Sequence, residues 1–454
     1  MKRALLVSYV FPPMAAVGGL RVLYFCRHLR TFGWEPVVLT IKQGANVSYD
    51  PSLLDKIPDV KIYRSTTFEP LLRRQLSQAS VAPPDKPENK TTAKHDAPRS
   101  RSPLGWIRRW VKLALSVPDH AIFWVPFGVA KGLRVIRREK PEVLFSSSPP
   151  VSSHIVASIL SRLTGLPHVV DFRDLWTLNH LYEQRLYPRL VRAYDRFWER
   201  FVLRRAAAVV TASPGFTRQM SEYAEGQFTC PIVTITNGFD YEEFKSLKVE
   251  PRAESGKVRF LYLGSLYADF NPSFFFEGLA TWLERSRIDR STVSVDFYGN
   301  SGFDYGDWLV RKGLSNVVSF HGFRSRADLV PLLLQADCLL LFLGFNEQVK
   351  NVIPAKLFEY LASGAAVLAI APKGVTSELI DQYQAGFCID RPDKELLIAT
   401  LQKIYDARRS STARREFRYM KEIDRVHLTQ ELASLFDRIT ARDADSRPVG
   451  VDRA

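Results

Sequence analysis

From end to end this chain alternates short, almost wholly apolar runs with stretches of helical periodicity, a pattern few folds accept. In the first half the runs are "RALLVSY" (3–9), "PVVLTI" (36–41), "EVLFSS" (142–147), "PHVVD" (167–171), "AAVVTA" (207–212) and "IVTIT" (232–236). In the second they are "VRFLYLG" (258–264), "VSVDFYG" (293–299), "VVSFHG" (317–322), "CLLLFL" (338–343) and "AAVLAIA" (365–371). Helical patterns lie between them, such as 19–32, which stops at Gly33 as a helix C-terminus should. Strands that are apolar on both faces and separated by helices belong to parallel sheets covered on both sides. At 454 residues the chain is too long for one core. The sequence therefore predicts an α/β protein of two Rossmann-like, doubly wound parallel-sheet domains.

The predicted divisions follow from composition. Residues 1–240 form the first domain, interrupted at 77–103 by a Pro-, Ser-, Thr- and Lys-rich insertion with almost no large apolar residues. A polar linker at 241–256 precedes the second domain at 257–405, followed by a helical segment at 406–440 and a frayed tail at 441–454. No apolar run approaches the ~18 residues needed to span a bilayer. The start, "MKRALLVSYVFPP", lacks the long apolar region and cleavage site of a signal peptide and reads as a first strand. Cys26, Cys230, Cys338 and Cys388 are scattered without metal-type spacing, so a reducing, cytoplasmic setting is expected and no metal. Residues 1–250 hold 36 Lys and Arg against 22 Asp and Glu, so the first half is expected to face something anionic.

Ligands of open α/β sheets bind beyond the carboxyl ends of the strands. After the first strand, Gly18 and Gly19 open a helix where backbone N–H groups can approach an anion, or simply make a tight turn. "DFRDLW" (171–176) puts Asp171, Arg173 and Asp174 at a strand end, as substrate contacts or as a self-satisfied ion-pair network. Gly264 with Ser265, His321 with Gly322, and Lys373 with Gly374 follow later strands, the last pair directly before a helix. In "NVIPAKLFEYLASG" (351–364), Lys356, Glu359 and Ser363 fall opposite the apolar face. They read either as a solvated stripe with an i,i+3 pair or as a carboxylate placed to accept both hydroxyls of a ribose. His154, just beyond the "SSSPP" loop, reads as structural. No Walker, GxSxG or zinc-type spacing appears, nor the aromatic–basic interleaving of a nucleic-acid module.

"GGLR" after "FPP", "NGFDYEEF" at 237–244 and above all "PAKLFEYLASGAAVLAIAPKG" (354–374) resemble the family 4 retaining glycosyltransferases of the GT-B fold, over about residues 1–405. The resemblance implies two Rossmann-like domains facing a central cleft, with 411–437 as the returning helix. It implies transfer of a sugar from a nucleotide diphosphate (NDP) sugar, with retention and without a bound metal. Carried over by position, Glu359 would hold the donor ribose, Gly18 and Gly19 the diphosphate and sugar, and His321–Gly322 the base. Lys373–Gly374 would lie near the sugar or phosphate, with Lys356, Gly264 and Ser265 also on the donor side. Asp171 and Arg173 would face the reacting centre. The family's front-face mechanism has the leaving phosphate help deprotonate the acceptor, so no protein nucleophile is implied. Two positions depart from the pattern. Asn351 stands where a second glutamate is usual, and "GSLYADFNPSFFF" lacks the usual Arg and Lys. Arg173, Lys350, Lys356 or Lys373 are then the candidates to neutralise the diphosphate.

"LGWIRRWVKLAL" (104–115) places Trp106, Trp110 and aliphatic residues opposite Arg108, Arg109 and Lys112, the arrangement of an interfacial helix or of a core-facing one. The expected partners are an NDP-sugar, a lipid-linked or surface-glycan acceptor and an anionic membrane, on the inner face of the plasma membrane, without nucleic acid. The rivals are an NDP-sugar epimerase and a catalytically silent GT-B member of a glycan-assembly complex.

Overall fold

A computed structural model describes residues 1–14, 17–42, 49–68, 117–179, 188–245, 256–266, 271–302, 304–410 and 419–446. The insertion at 77–103 and the stretch carrying Trp106, Arg108, Arg109, Trp110 and Lys112 lie outside these residues, as does most of the expected linker. The chain divides into two compact units. One comprises Met1–Ala212, Gln219–Thr234 and Thr429–Ala454; the other comprises Ser213–Arg218 and Ile235–Leu428.

The first unit is built on seven parallel strands: β1 (Lys2–Val7), β2 (Trp34–Ile41), β3 (Lys61–Ser65), β4 (Val143–Ser148), β5 (His168–Phe172), β6 (Ala206–Thr211) and β7 (Ile232–Thr234). Their order is β3-β2-β1-β4-β5-β6-β7. The second unit holds β8 (Val258–Leu263), β9 (Val293–Tyr298), β10 (Val318–Phe320), β11 (Cys338–Phe342), β12 (Ala366–Ile370) and β13 (Gly386–Ile389). Their order is β10-β9-β8-β11-β12-β13, again all parallel. Counted within each unit, six strands run 3-2-1-4-5-6, the doubly wound order. The winding reverses between β1 and β4 and between β8 and β11, and those two crevices are where such sheets take ligands.

Packing explains why the central strands are so apolar. Leu5 and Leu6 of β1 pair with Val37 and Val38 on one side and with Leu144 and Phe145 on the other, all fully buried. In the second sheet Leu340 pairs with Leu368, and the two sheet faces build separate cores around Trp282 and around Tyr360. Phe436, in the C-terminal part of the first unit, meets Trp34 edge-on at 5.3 Å.

Several sequence expectations change. The predicted helix 19–32 is an α-helix over Val17–His28 followed by a 3-10 turn, Leu29–Phe32, which Gly33 closes at φ 84°. The chain is still helical over Arg425–Ser446, so residues 441–446 are not a frayed tail. Strands β3 and β13, both at sheet edges, were not expected.

Candidate active site

At the β1/β4 crevice of the first unit, three serines end β4. Ser146 Oγ lies 2.6 Å from both His154 Nδ1 and His168 Nε2, and all three residues are fully buried. Burial holds the His168 pKa down to about 3 and that of His154 well below its usual value, so both rings are neutral. His154 is structural, as expected. Ser147 Oγ donates to Asp171 Oδ2 at 2.7 Å.

Asp171 is fully buried near the end of β5 and is gripped by Arg21 of the helix Val17–His28. The contacts are Nη2–Oδ1 at 2.8 Å and Nε–Oδ2 at 3.0 Å. The catalytic role expected of Asp171 is therefore corrected. A carboxylate without exposed surface, held by a forked guanidinium and a hydroxyl, anchors the helix to the sheet and offers no face to a substrate. Arg21 was quoted in "GGLR" but read only for its glycines; an arginine among Leu20, Val22 and Leu23 was the available signal.

Arg173 is tied to backbone carbonyls. Its Nε donates to Ser148 O at 2.7 Å, Nη2 to Pro149 O at 2.5 Å and Nη1 to Gly18 O. Burial lowers its pKa to about 10, partly offset by Asp171 and Asp174, so it stays cationic at neutral pH. A Cβ at Gly18 would run into this guanidinium, whereas one at Gly19 would make only ordinary contacts with Val10 and Phe11 at 3.5 Å. Gly18 is thus required by Arg173, whatever ligand approaches. Gly18→Ala is expected to cost about 1–3 kcal/mol by displacing a charge-assisted hydrogen bond. Gly19→Ala should be neutral or stabilising by up to about 1 kcal/mol, because alanine suits a helix better. Urea unfolding of the two variants checks the contrast, and equal losses would contradict it.

In the second unit the strand ends carry three glycines side by side. Gly264, Gly299 and Gly322 follow β8, β9 and β10 at φ 122°, 134° and 67°. Gly299 N donates to Gly322 O at 2.8 Å, and a Cβ on Gly299 would strike the Gly264 carbonyl. Gly264 N in turn donates to Tyr298 O at 2.8 Å. The result is a floor of main chain beyond the strand ends, continued by Ser265, whose carbonyl accepts from Tyr262 Oη at 3.1 Å.

The helix Ala355–Ser363 docks against this floor. Tyr360, fully buried, accepts Leu263 N at 3.0 Å through its hydroxyl. Lys356 lays its ammonium 4.0 Å from the centre of the Tyr262 ring and so close to Gly264 that a Cβ there would touch Nζ. Burial depresses the Lys356 pKa to about 7, with Glu359 pulling the other way. This corrects the solvated-stripe reading of the helix. Lys356 and Glu359 are half-buried, and Ser363 is fully buried, its Oγ donating to Tyr360 O at 2.7 Å. At the β8/β11 crevice this helix places a lysine ammonium beside a β8 loop whose sequence holds no Lys or Arg.

Two expected contacts are engaged within the unit. His321 stacks on Tyr298 at 4.3 Å, with Nε2 2.7 Å from Asp296 Oδ1. The anion cradle read at Lys373–Gly374 is partly filled, because Gly374 N donates to Ser377 Oγ at 3.0 Å and Val375 N to Lys350 O at 2.9 Å. Lys373 itself is exposed. Asn351 packs its side chain against Gly215, and its carbonyl accepts Ser213 Oγ at 2.6 Å.

With this geometry in hand, residues 18–238 match the domain family described as glycosyl transferase 4-like, and residues 244–420 match glycosyl transferases group 1. No curated protein matches the sequence closely enough to serve as a relative. Similar solved structures include an α,α-trehalose 6-phosphate synthase from Burkholderia multivorans, at 10% identity and TM-score 0.58 with both chains covered fully. WaaG, a glycosyltransferase involved in lipopolysaccharide biosynthesis, is 13% identical with TM-score 0.51, covering 99% of this chain and 100% of that one. A UDP-N-acetylglucosamine 2-epimerase described from Listeria monocytogenes is 10% identical with TM-score 0.51, covering 98% of each. At these identities the likeness is one of fold, the GT-B fold.

Proposed function

The chain belongs to the group 1 glycosyltransferases, with a glycosyl transferase 4-like domain ahead of the group 1 domain, and on that premise we propose that it moves a sugar from an NDP-sugar to a lipid-linked or surface-glycan acceptor with retention of configuration. The observation that carries the reading is Lys356, a cation lodged under the Gly264 turn at the β8/β11 crevice. Oxygens of the donor diphosphate would take their positive charge from Lys356 and an N–H donor from Ser265 in the turn after Gly264, whose own N–H is held by Tyr298 O, while Glu359, one turn along the helix, would accept the ribose hydroxyls. In the transfer the bond from the anomeric carbon to the phosphate oxygen breaks, and the bond to the acceptor oxygen forms on the same face. The acceptor proton leaves with the diphosphate. No metal is part of this proposal.

Glu359→Ala is expected to remove a nucleotide-specific rise in melting temperature. Wild type and variant would be screened against UDP, GDP, ADP, CMP, dTDP and UDP-sugars, because a ligand that binds only the folded state stabilises it. An unchanged rise would take Glu359 out of the site. The departure at Asn351, whose side chain is packed against Gly215, favours a second reading, a silent member of a glycan-assembly complex. That reading is supported if no nucleotide shifts the melting temperature. Release of an isomerised sugar without any acceptor would instead support the epimerase. The cytoplasmic, membrane-peripheral setting also belongs to the proposal, with Trp106, Arg108, Arg109, Trp110 and Lys112 as one contact of sequence origin.

A further inference from the structure

The helix Arg189–Leu203 is sorted in an unusual way. Its two acids point inward. Asp195 accepts Trp176 Nε1 at 2.7 Å, and Glu199 accepts Thr177 N at 3.0 Å, Thr177 Oγ1 at 2.6 Å and Tyr223 Oη at 3.1 Å. Both are essentially without exposed surface. Val191, Val202 and Leu203 are buried with them, but three large apolar side chains point outward, Leu190, Tyr194 and Phe197 being exposed by 76, 43 and 58%. These three share one stripe with the half-buried Phe201, at i, i+4, i+7 and i+11. Arg189, Arg192, Arg196 and Arg200, all exposed, form a second row about a third of the way round the helix from it. On the neighbouring helix Ser152–Thr164, Arg162 lies 4.2 Å over the Phe201 ring and Leu163 is 61% exposed.

An ordinary surface helix buries its apolar stripe and solvates its acids. Here the exposed side pairs aromatic and aliphatic groups with arginines and shows water no carboxylate of its own. Contiguous apolar exposure marks a docking surface, and the arginine row selects an anionic one. We propose that the helix Arg189–Leu203 lies on the surface of a bilayer carrying anionic lipid, with Leu190, Tyr194, Phe197 and Phe201 entering the headgroup region and the arginines engaging lipid phosphates. No described helix is long and apolar enough to cross a membrane, and a 15-residue amphipathic helix in the interface does not need to be.

The test is co-sedimentation of the full chain with vesicles of phosphatidylcholine alone and with phosphatidylglycerol added. Wild type should sediment with the anionic vesicles only. Leu190→Ser with Phe197→Ser should weaken partitioning at least about tenfold. Arg192→Gln with Arg196→Gln should weaken it about fivefold per arginine and flatten its salt dependence. Because these side chains are exposed, melting temperature and nucleotide binding should not change in either variant. Variants that sediment like wild type would overturn the proposal, as would a wild type that ignores anionic vesicles. A dimer that falls apart in the Leu190→Ser, Phe197→Ser variant would overturn it in favour of a protein interface. The assay contains neither donor nor acceptor, so a wild type that ignores anionic vesicles would also remove the membrane-peripheral setting proposed above but would leave the glycosyl-transfer reading untouched.

Discussion

Replacing Arg21 with methionine is expected to destabilise the first unit by about 3–5 kcal/mol, which is the usual result of stranding one partner of a buried ion pair. The side chain is 4% exposed, and that of Asp171 beneath it is fully buried. Methionine fills much the same volume, so the loss is one of charge compensation rather than of packing. Asp171 would keep only the Ser147 hydroxyl among the contacts described above. Its carboxylate would then have to take up a proton or draw in water. Hydrogen exchange read strand by strand is the measurement of choice. The amides of β1, β4 and β5 should exchange roughly 150- to 5,000-fold faster, while those of β8, β11 and β12 stay near wild type. Adding Asp171→Leu to Arg21→Met should recover most of the loss, because an apolar pair of similar volume carries no desolvation cost. If the single variant proves as stable as wild type, the pair is not the anchor it is taken to be. If the double variant unfolds as readily as the single one, shape rather than charge is the reason.

What the sequence could show, and what it could not, follows one physical distinction. The central strands were legible because both faces of each are buried and most of their residues are apolar, the buried polar ones gathering mainly at the strand ends. The edge strands were not. In β3, "KIYRS", Lys61 and Tyr63 are held by polar partners: Lys61 Nζ lies 2.8 Å and Tyr63 Oη 2.5 Å from the carboxylate of Glu139. Such a strand has no apolar signature. In β13, Gly386 sits at φ 152° against the Val367 backbone, and a four-residue strand led by glycine reads as a turn. Site residues divide in the same way. The glycines after β8 and β10 were found because a glycine at a strand end is itself a signal. Lys356 was placed on the correct helix but given the wrong surroundings, since helical periodicity sorts residues by the core of their own layer. It does not register the strand-end loop that closes over the other face. Asp171 was misread for the converse reason. Its partner, Arg21, lies 150 residues earlier in the chain, and only the doubly wound strand order brings the two together.

That strand-end loop makes Lys356 the position with the largest expected effect on binding. Its pKa of about 7, against 10.5 for a free lysine, means that the folded chain binds fewer protons than the unfolded chain between those values. Stability of the ligand-free protein should therefore rise with pH from about 7 to 10.5, and fall as pH drops through the same window. Below pH 7 the ammonium is charged and poorly hydrated beside the Tyr262 ring, a state that an anion at the β8/β11 crevice would relieve. Lys356→Met should accordingly raise the melting temperature of the free protein at neutral pH while weakening nucleoside diphosphate binding by about 10- to 100-fold, the worth of a hydrogen bond to a charged group. The pH profile separates this role from simple packing. Wild-type affinity should fall by up to about tenfold per pH unit above 7, as the proton that the diphosphate needs becomes costlier to supply. The methionine variant should show no such slope. Calorimetric titration of one nucleoside diphosphate from pH 6 to 9 with both proteins decides the matter. Parallel slopes would assign the pH dependence to some other group. A variant that binds as wild type does would leave the diphosphate without its cation at Lys356, and would remove the observation on which the donor site rests.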